Sequence, residues 1–257
     1  SASADITNGL ISHWKLDEAS GTVASDSVGT NTGAVTGATF SAGKINNALN
    51  FNGTNNYINF NTDLGVTGEM TVSAWVNPAK SPDGVGRLIA STYDWDADAT
   101  LTRGWYLGIE YGSSDVIRFR VYDGLGNYGL ASLNNFFANN LNKWTHVVGV
   151  YKPSTYVKLF VNGALVAEDT SSVPSAIANK AGTNFRIGAR ADVANQGMWN
   201  GLIDDVHFYN RALVAADIVQ LYNDTGASSS SQAQSSSSVV VQQAPTGSKG
   251  AGRNHLQ

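Results

Sequence analysis

Residues 70–77 read Met70-Thr71-Val72-Ser73-Ala74-Trp75-Val76-Asn77. Val72, Ala74 and Val76 alternate with Thr71, Ser73 and Trp75, the period of two that sends successive side chains to opposite faces of a β-strand. The same texture recurs outward in both directions, in short runs bounded by Gly, Asn, Asp and Ser. Upstream lie Gly9–Leu16 and Ala48–Phe60, the latter folded about Gly53-Thr54-Asn55-Asn56. Downstream lie Arg87–Thr92, Gly104–Tyr111, Val116–Tyr122, Trp144–Tyr151, Tyr156–Val161, Phe185–Gly188 and Leu202–Asn210. Tyr122-Asp123-Gly124 opens a turn, and Asn162-Gly163 is a hairpin signal. Only Leu213–Tyr222 departs from this, with Leu213, Asp217, Ile218 and Leu221 at helical spacing. The prediction is an all-β, two-sheet antiparallel β-sandwich with one short C-terminal helix.

Composition agrees. The 257 residues are 42% hydrophobic and only 14% charged, with 27 Gly and 10% aromatics, a balance that favours strands and turns. Net charge is −4; residues 227–257 hold Lys249 and Arg253 and no acid, so residues 1–226 carry −6. That sign argues against nucleic acid as a partner, because phosphate-backbone binding needs a basic face. Cysteine is absent, which rules out disulfides, thiolate metal sites and a cysteine nucleophile. No apolar run reaches the length of a membrane helix, so no membrane partner is expected.

The organisation changes after Gly226, where Ser228–Ser231 and Ser235–Ser238 flank Gln232-Ala233-Gln234. Residues 1–226 are expected to form one sandwich domain, and 227–257 a Ser-rich linker or tail that buries too little apolar surface to order itself. The opening Ser1-Ala2-Ser3-Ala4-Asp5 has the small-residue character found beside signal-peptide cleavage sites, which points to secretion, with a bacterial source expected.

Several blocks, in order, resemble the laminin-G-like/concanavalin A-like jelly-roll domains of polysaccharide-processing proteins. They are Trp14-Lys15-Leu16-Asp17-Glu18-Ala19-Ser20-Gly21 with Asp26-Ser27-Val28-Gly29, then Ala48–Ile58, Met70–Asn77, Trp144–Val148, Leu159–Gly163 and Gly201–Leu213. The resemblance spans roughly residues 9–224. It implies a jelly roll of the carbohydrate-binding-module type, often with one structural calcium. For the metal it implies Asp26, Asn31 and Asp204, with carbonyls near Ser27 and Thr30; Val28 and Thr30 stand where the family loop carries Ser and Asn. The alternative is an Asx turn at Asp26 that caps strand ends without metal.

Catalytic signatures are weak. Glucanases on this sandwich need two carboxylates about 5 to 10 Å apart across a groove, whereas Glu18, Glu69, Glu110 and Glu168 are scattered and no Glu-x-Asp-x-x-Glu string occurs. His146 and His207 read as packing or surface residues. A sugar needs aromatic faces for its C–H surface and planar polar groups for its hydroxyls. Of six Trp, Trp14, Trp75 and Trp144 lie in strand blocks and read as packing, whereas Trp95 and Trp199 lie in polar loops and read as ligand contacts. The candidate site comprises Tyr93, Trp95, Asp96, Arg103, Arg118, Arg120, Tyr122, Tyr128, Arg190, Asp192, Gln196 and Trp199. Arg118 and Arg120 share one face of a strand, with surface ion pairs as the plain alternative.

The expectation is a non-catalytic, monomeric carbohydrate-binding module that takes a polysaccharide or oligosaccharide and targets a catalytic domain of the same full-length chain. The alternative is an adhesion or protein-interaction domain of a secreted or cell-surface protein.

Overall fold

The structure, a computed structural model, describes residues 5–80, 84–95, 102–109, 115–192 and 196–224. The chain divides into a unit Ser1–Gly226 and a unit Ala227–Gln257; every described residue lies in the first.

Sixteen strands form among the described residues: β1 Leu10–Trp14, β2 Val23–Ala24, β3 Gly33–Thr36, β4 Thr39–Ala42, β5 Asn47–Asn52, β6 Tyr57–Asn59, β7 Met70–Pro78, β8 Arg87–Ser91, β9 Trp105–Ile109, β10 Val116–Tyr122, β11 Tyr128–Asn134, β12 Thr145–Lys152, β13 Tyr156–Val161, β14 Ala164–Asp169, β15 Arg186–Ile187 and β16 Asn200–Tyr209. One sheet runs β14-β13-β12-β7-β16-β5-β4, with β1 also on β16; the other runs β11-β10-β9-β8-β15-β6-β3-β2. All pairings between these strands are antiparallel.

The inner faces meet in one core. Val72, Ala74 and Val76 of β7 pack there with Ile203, Val206 and Phe208 of β16, against Trp105 and Leu107 of β9 and Phe119 of β10. The Trp105 and Phe208 rings stack across the sheets at 5.6 Å. Contact is close enough that a Cβ on Gly149 of β12 would fall 2.4 Å from the Phe119 ring, so only glycine lets the sheets approach here.

The outer faces differ. On the first sheet Thr71, Ser73 and Trp75, the polar side of the β7 alternation, are buried as well. Helix α2 (Ala215–Asn223) covers them: its Tyr222 stacks on Trp75 at 5.5 Å, and its Ile218 and Leu221 join Val148, Val150, Phe160 and Tyr209 in a second apolar cluster. A short helix α1 (Phe136–Asn140), buried through Phe136 and Phe137, adds to the predicted single helix, as do β2, β3, β4, β11 and β14 to the predicted strands. The outer face of the second sheet carries arginines and tyrosines.

Candidate functional site

Alternation builds the site. On β9, Trp105, Leu107 and Ile109 belong to the core, which turns Tyr106 outward; on β10, Ile117, Phe119 and Val121 do the same for Arg118, Arg120 and Tyr122. A register irregularity between Leu88 and Ala90 turns Leu88 outward, opposite Gly108. Leu88, Tyr93, Tyr106 and Tyr122 form an apolar cluster on that outer face, with Tyr93 edge-on to Tyr106 at 5.2 Å and 5.5 Å from Tyr122.

Beside this cluster opens a cavity of about 460 Å³ lined by Gly86, Leu88, Tyr93, Trp95, Tyr106, Ile109, Arg190, Gln196 and Gly197. Leu88, Tyr106 and Ile109 supply buried apolar surface, while Trp95 remains 52% exposed. The volume lies within the roughly 300–1,000 Å³ of small-molecule sites.

Three bonds fix the polar wall. Arg190 donates from Nε to Asp192 Oδ1 at 3.0 Å, from Nη2 to Asp192 Oδ2 at 2.5 Å and from Nη1 to Gln196 Oε1 at 2.9 Å. The Trp95 N–H donates to Asp192 Oδ2 at 3.0 Å, which ties the tryptophan segment to the arginine segment. Gly197 has φ +64°, and its missing Cβ would lie 2.8 Å from Arg190 Cγ; glycine both permits the turn and leaves room for the arginine.

Of the predicted ligand residues, Tyr93, Trp95, Arg190 and Gln196 line the cavity, and Asp192 holds Trp95 and Arg190. Tyr122, Tyr128 and Arg120 form a neighbouring stack, the Arg120 guanidinium lying 3.7 Å from the Tyr128 ring and 4.9 Å from that of Tyr122. Arg118 shares that face. Arg103 is engaged elsewhere, bridging Asp94 through the backbone and packing near Gly124. Asp96 lies outside the described residues. Trp199 corrects the expectation: it is fully buried, its ring 6.0 Å from Phe137 and its indole N–H donating to Leu202 O, because it immediately precedes β16 and enters the core as that strand begins. Tyr106 and Leu88 went unpredicted; their only sequence signal was their place in strand alternation. Trp14 and Trp75 are buried as expected, and Trp144 is partly so.

The expected metal ligands lie on two sides of β1. Asp26 Oδ1 accepts N–H bonds from His13, Val28 and Gly29, and Oδ2 from Asn31. Burial works to raise the Asp26 pKa, but these backbone donors outweigh it and hold the carboxyl below its usual range. Asn31 donates to Ser12 Oγ and accepts from Trp14 Nε1. Both residues therefore build an Asx-type turn. β1 stands between them and Asp204, since Trp14 pairs with Val206 on one edge and bridges Asp26 on the other. Asp204 is fully buried; its Oδ2 accepts from the Lys44 and Ile45 N–H groups, and its Oδ1 has no hydrogen-bond partner. Desolvation, partly offset by Ile45 N–H and reinforced by the Asp205 charge, pushes the Asp204 carboxyl up to about 7. A Cβ on Gly43 would fall 2.4 Å from Asn47 O and 2.7 Å from Asp204 Oδ2, and Asp17 bonds Asn46 and Asn47 alongside. A buried carboxylate oxygen without a partner, beside a turn that carries the Asn47 carbonyl and is bonded by Asp17, has the oxygen chemistry that suits a calcium ion.

Among the described residues, one group of three His or acidic side chains clusters: His13, Asp205 and His207. His13 Nε2 lies 2.6 Å from Asp205 Oδ1, and the two imidazoles stack face to face at 3.8 Å. Stacked rings direct their lone pairs side by side, so the group reads as a hydrogen-bonded brace. Nearby, Ser73 Oγ lies 2.7 Å from His146 Nε2, but Ser73 is fully buried and meets no solvent. Desolvation lowers His146 to about 3 and His207 to about 4, leaving both neutral near neutral pH.

Two antiparallel sheets stacked on one core, with an aromatic cavity on an outer face, define a lectin-like jelly roll. The profile of Laminin_G_3, the concanavalin A-like lectin/glucanases superfamily, matches residues 52–219, and the chain belongs to that superfamily. No curated protein sequence matches it. Similar solved structures include domain 4 of AbnA, a GH43 extracellular arabinanase from Geobacillus stearothermophilus, in complex with arabinotriose (20% identity, 83% of this chain and 98% of that one, TM-score 0.62). The binding domain of Paraclostridial Mosquitocidal Protein 1 is 16% identical over 85% of this chain and 53% of that one, TM-score 0.66. Trypanosoma rangeli sialidase in complex with sialic acid is 17% identical over 86% of this chain and 33% of that one, TM-score 0.60. At these identities the likeness establishes the fold.

Proposed function

We propose that this domain is a non-catalytic carbohydrate-binding module whose glycan site is the cavity between Trp95 and Arg190. The observation that carries the reading is the pairing, in one cavity, of an exposed indole and buried apolar surface with a tethered guanidinium and carboxamide. Pyranose and furanose rings offer C–H surface to such an indole and hydroxyls to such planar donors. Solved relatives of the same fold include a domain in complex with arabinotriose, which supports the reading by analogy of fold. The Ser73–His146 pair is sealed from solvent, and the described glutamates Glu18, Glu69 and Glu168 bond Ser25, Lys152 and Lys158 and do not line the cavity, which supports a binding role over a hydrolytic one; Glu110 lies outside the described residues.

In this reading residues 227–257 link the module to a polysaccharide-degrading catalytic domain, and tethering raises that domain's local concentration at its substrate. The module works outside the cell as a monomer, with calcium held by Asp204, beside Asp17 and the Asn47 carbonyl, as a fold-stabilising ion apart from the glycan. Affinity electrophoresis through a panel of polysaccharides, with and without chelator, tests this: retardation by at least one polymer supports it, and migration unchanged by every polymer in the presence of calcium contradicts it.

A further inference from the structure

We infer that the ligand at the Trp95 cavity is an uncharged glycan, an inference that rests on the carbohydrate-binding reading above. Among the described residues that line the cavity Arg190 is the cation, and its charge is already matched. Asp192 takes it with both oxygens, at 3.0 and 2.5 Å, and the two side chains are only 12% and 7% exposed. A ligand carboxylate or sulfate would approach a guanidinium whose partner carboxylate remains in place. Drawing Arg190 away would strand a largely buried Asp192 charge, a loss that a solvent-exposed ligand contact does not recover.

Two neighbouring cations are engaged as well. Asp94, buried beside Tyr93, holds Lys180 at 3.1 Å, so that cation is matched as well. Arg120, cross-strand from Tyr106, lies with its guanidinium against the Tyr128 and Tyr122 rings. What the cavity offers a ligand is neutral chemistry. Among the described residues, two of the five guanidinium N–H donors of Arg190 are unclaimed, and the Gln196 amide group adds its own, all suited to hydroxyl oxygens.

The test is retention of the whole chain by neutral polymers (arabinan, xylan, β-glucan, agarose) and anionic ones (alginate, polygalacturonate, carrageenan) at salt from about 50 to about 500 mM, a range that collapses the screening length of exposed charges. The inference predicts retention by a neutral polymer, changing less than about twofold across that range, and lost in Trp95→Ala. It also predicts that Asp192→Asn, which unmasks Arg190, gains about tenfold or more in retention by an anionic polymer, and that salt removes the gain. Stronger retention of the wild type by an anionic polymer, falling with salt and lost in Trp95→Ala, overturns the uncharged-ligand inference while leaving a glycan site at this cavity. Retention by neither class overturns the carbohydrate reading itself.

Discussion

Asp192 grips the guanidinium of Arg190 with both carboxylate oxygens and accepts the backbone N–H of Trp95 with one of them. A single carboxylate thus sets the arginine plane and anchors a segment 97 residues away in sequence. Asp192→Ala is expected to cost about 1–3 kcal/mol of stability and to weaken glycan binding at least tenfold, because Trp95 and Arg190 lose their common tether. Chemical denaturation and titration calorimetry on the same variant read the two effects.

The two loop tryptophans separate cleanly. Trp199→Ala removes a fully buried ring and is expected to destabilise by about 3–5 kcal/mol. Trp95→Ala removes a half-exposed ring and is expected to stay within about 0.5 kcal/mol of wild type. Urea unfolding midpoints check both.

Gly197→Ala places a methyl group 2.8 Å from Arg190 Cγ at a residue with φ +64°. Binding is expected to fall several-fold, with a stability loss of about 1 kcal/mol from backbone strain. Calorimetry and thermal melts measure the pair of effects.

Stability is expected to rise with pH between about 4.5 and 6.5. His146 and His207 shift from 6.5 in the unfolded chain to about 3 and about 4 in the fold, chiefly through desolvation. In that window the unfolded chain holds two protons there that the fold does not, so their contribution is complete above 6.5 and is lost as pH falls. In the calcium-free protein Asp204, raised from 3.8 to about 7, acts oppositely with one proton and only partly cancels the slope. Urea midpoints from pH 4.5 to 7.5 test the sign; a flat or falling profile below 6.5 contradicts it.

Calcium is expected to raise the melting temperature of the wild type and of Asp26→Asn, but not of Asp204→Asn. A ligand present at about 100 times its dissociation constant adds about 2.7 kcal/mol. Loss of the response in Asp26→Asn with its retention in Asp204→Asn would place the ion in the Asp26 turn instead.

Strand alternation made most of the fold legible: β7, β10, β13 and β16 follow it, and it set Arg118 and Arg120 on one outward face. The same alternation hid Tyr106, since a tyrosine between core residues looks like any strand tyrosine until its outer face proves to border a cavity. Trp95 and Trp199 share a loop-like context, yet a long-range hydrogen bond holds one at the surface and the start of β16 draws the other inward. Topology runs against a calcium shared by Asp26 and Asp204: the bridge that places Asp26 on one edge of β1 leaves Asp204 past the other. Asp17, which adjoins the Asp204 donors, carried no local signal because the Asn46–Asn47 turn that orients it lies 30 residues downstream.

Titration calorimetry of wild type and Trp95→Ala against the polysaccharide that retards the chain most strongly tests the central claim most directly. The account predicts binding by the wild type and a loss of at least tenfold in the variant, with unfolding midpoints that coincide. Equal affinities in the two proteins would contradict it and place the glycan elsewhere on the sandwich.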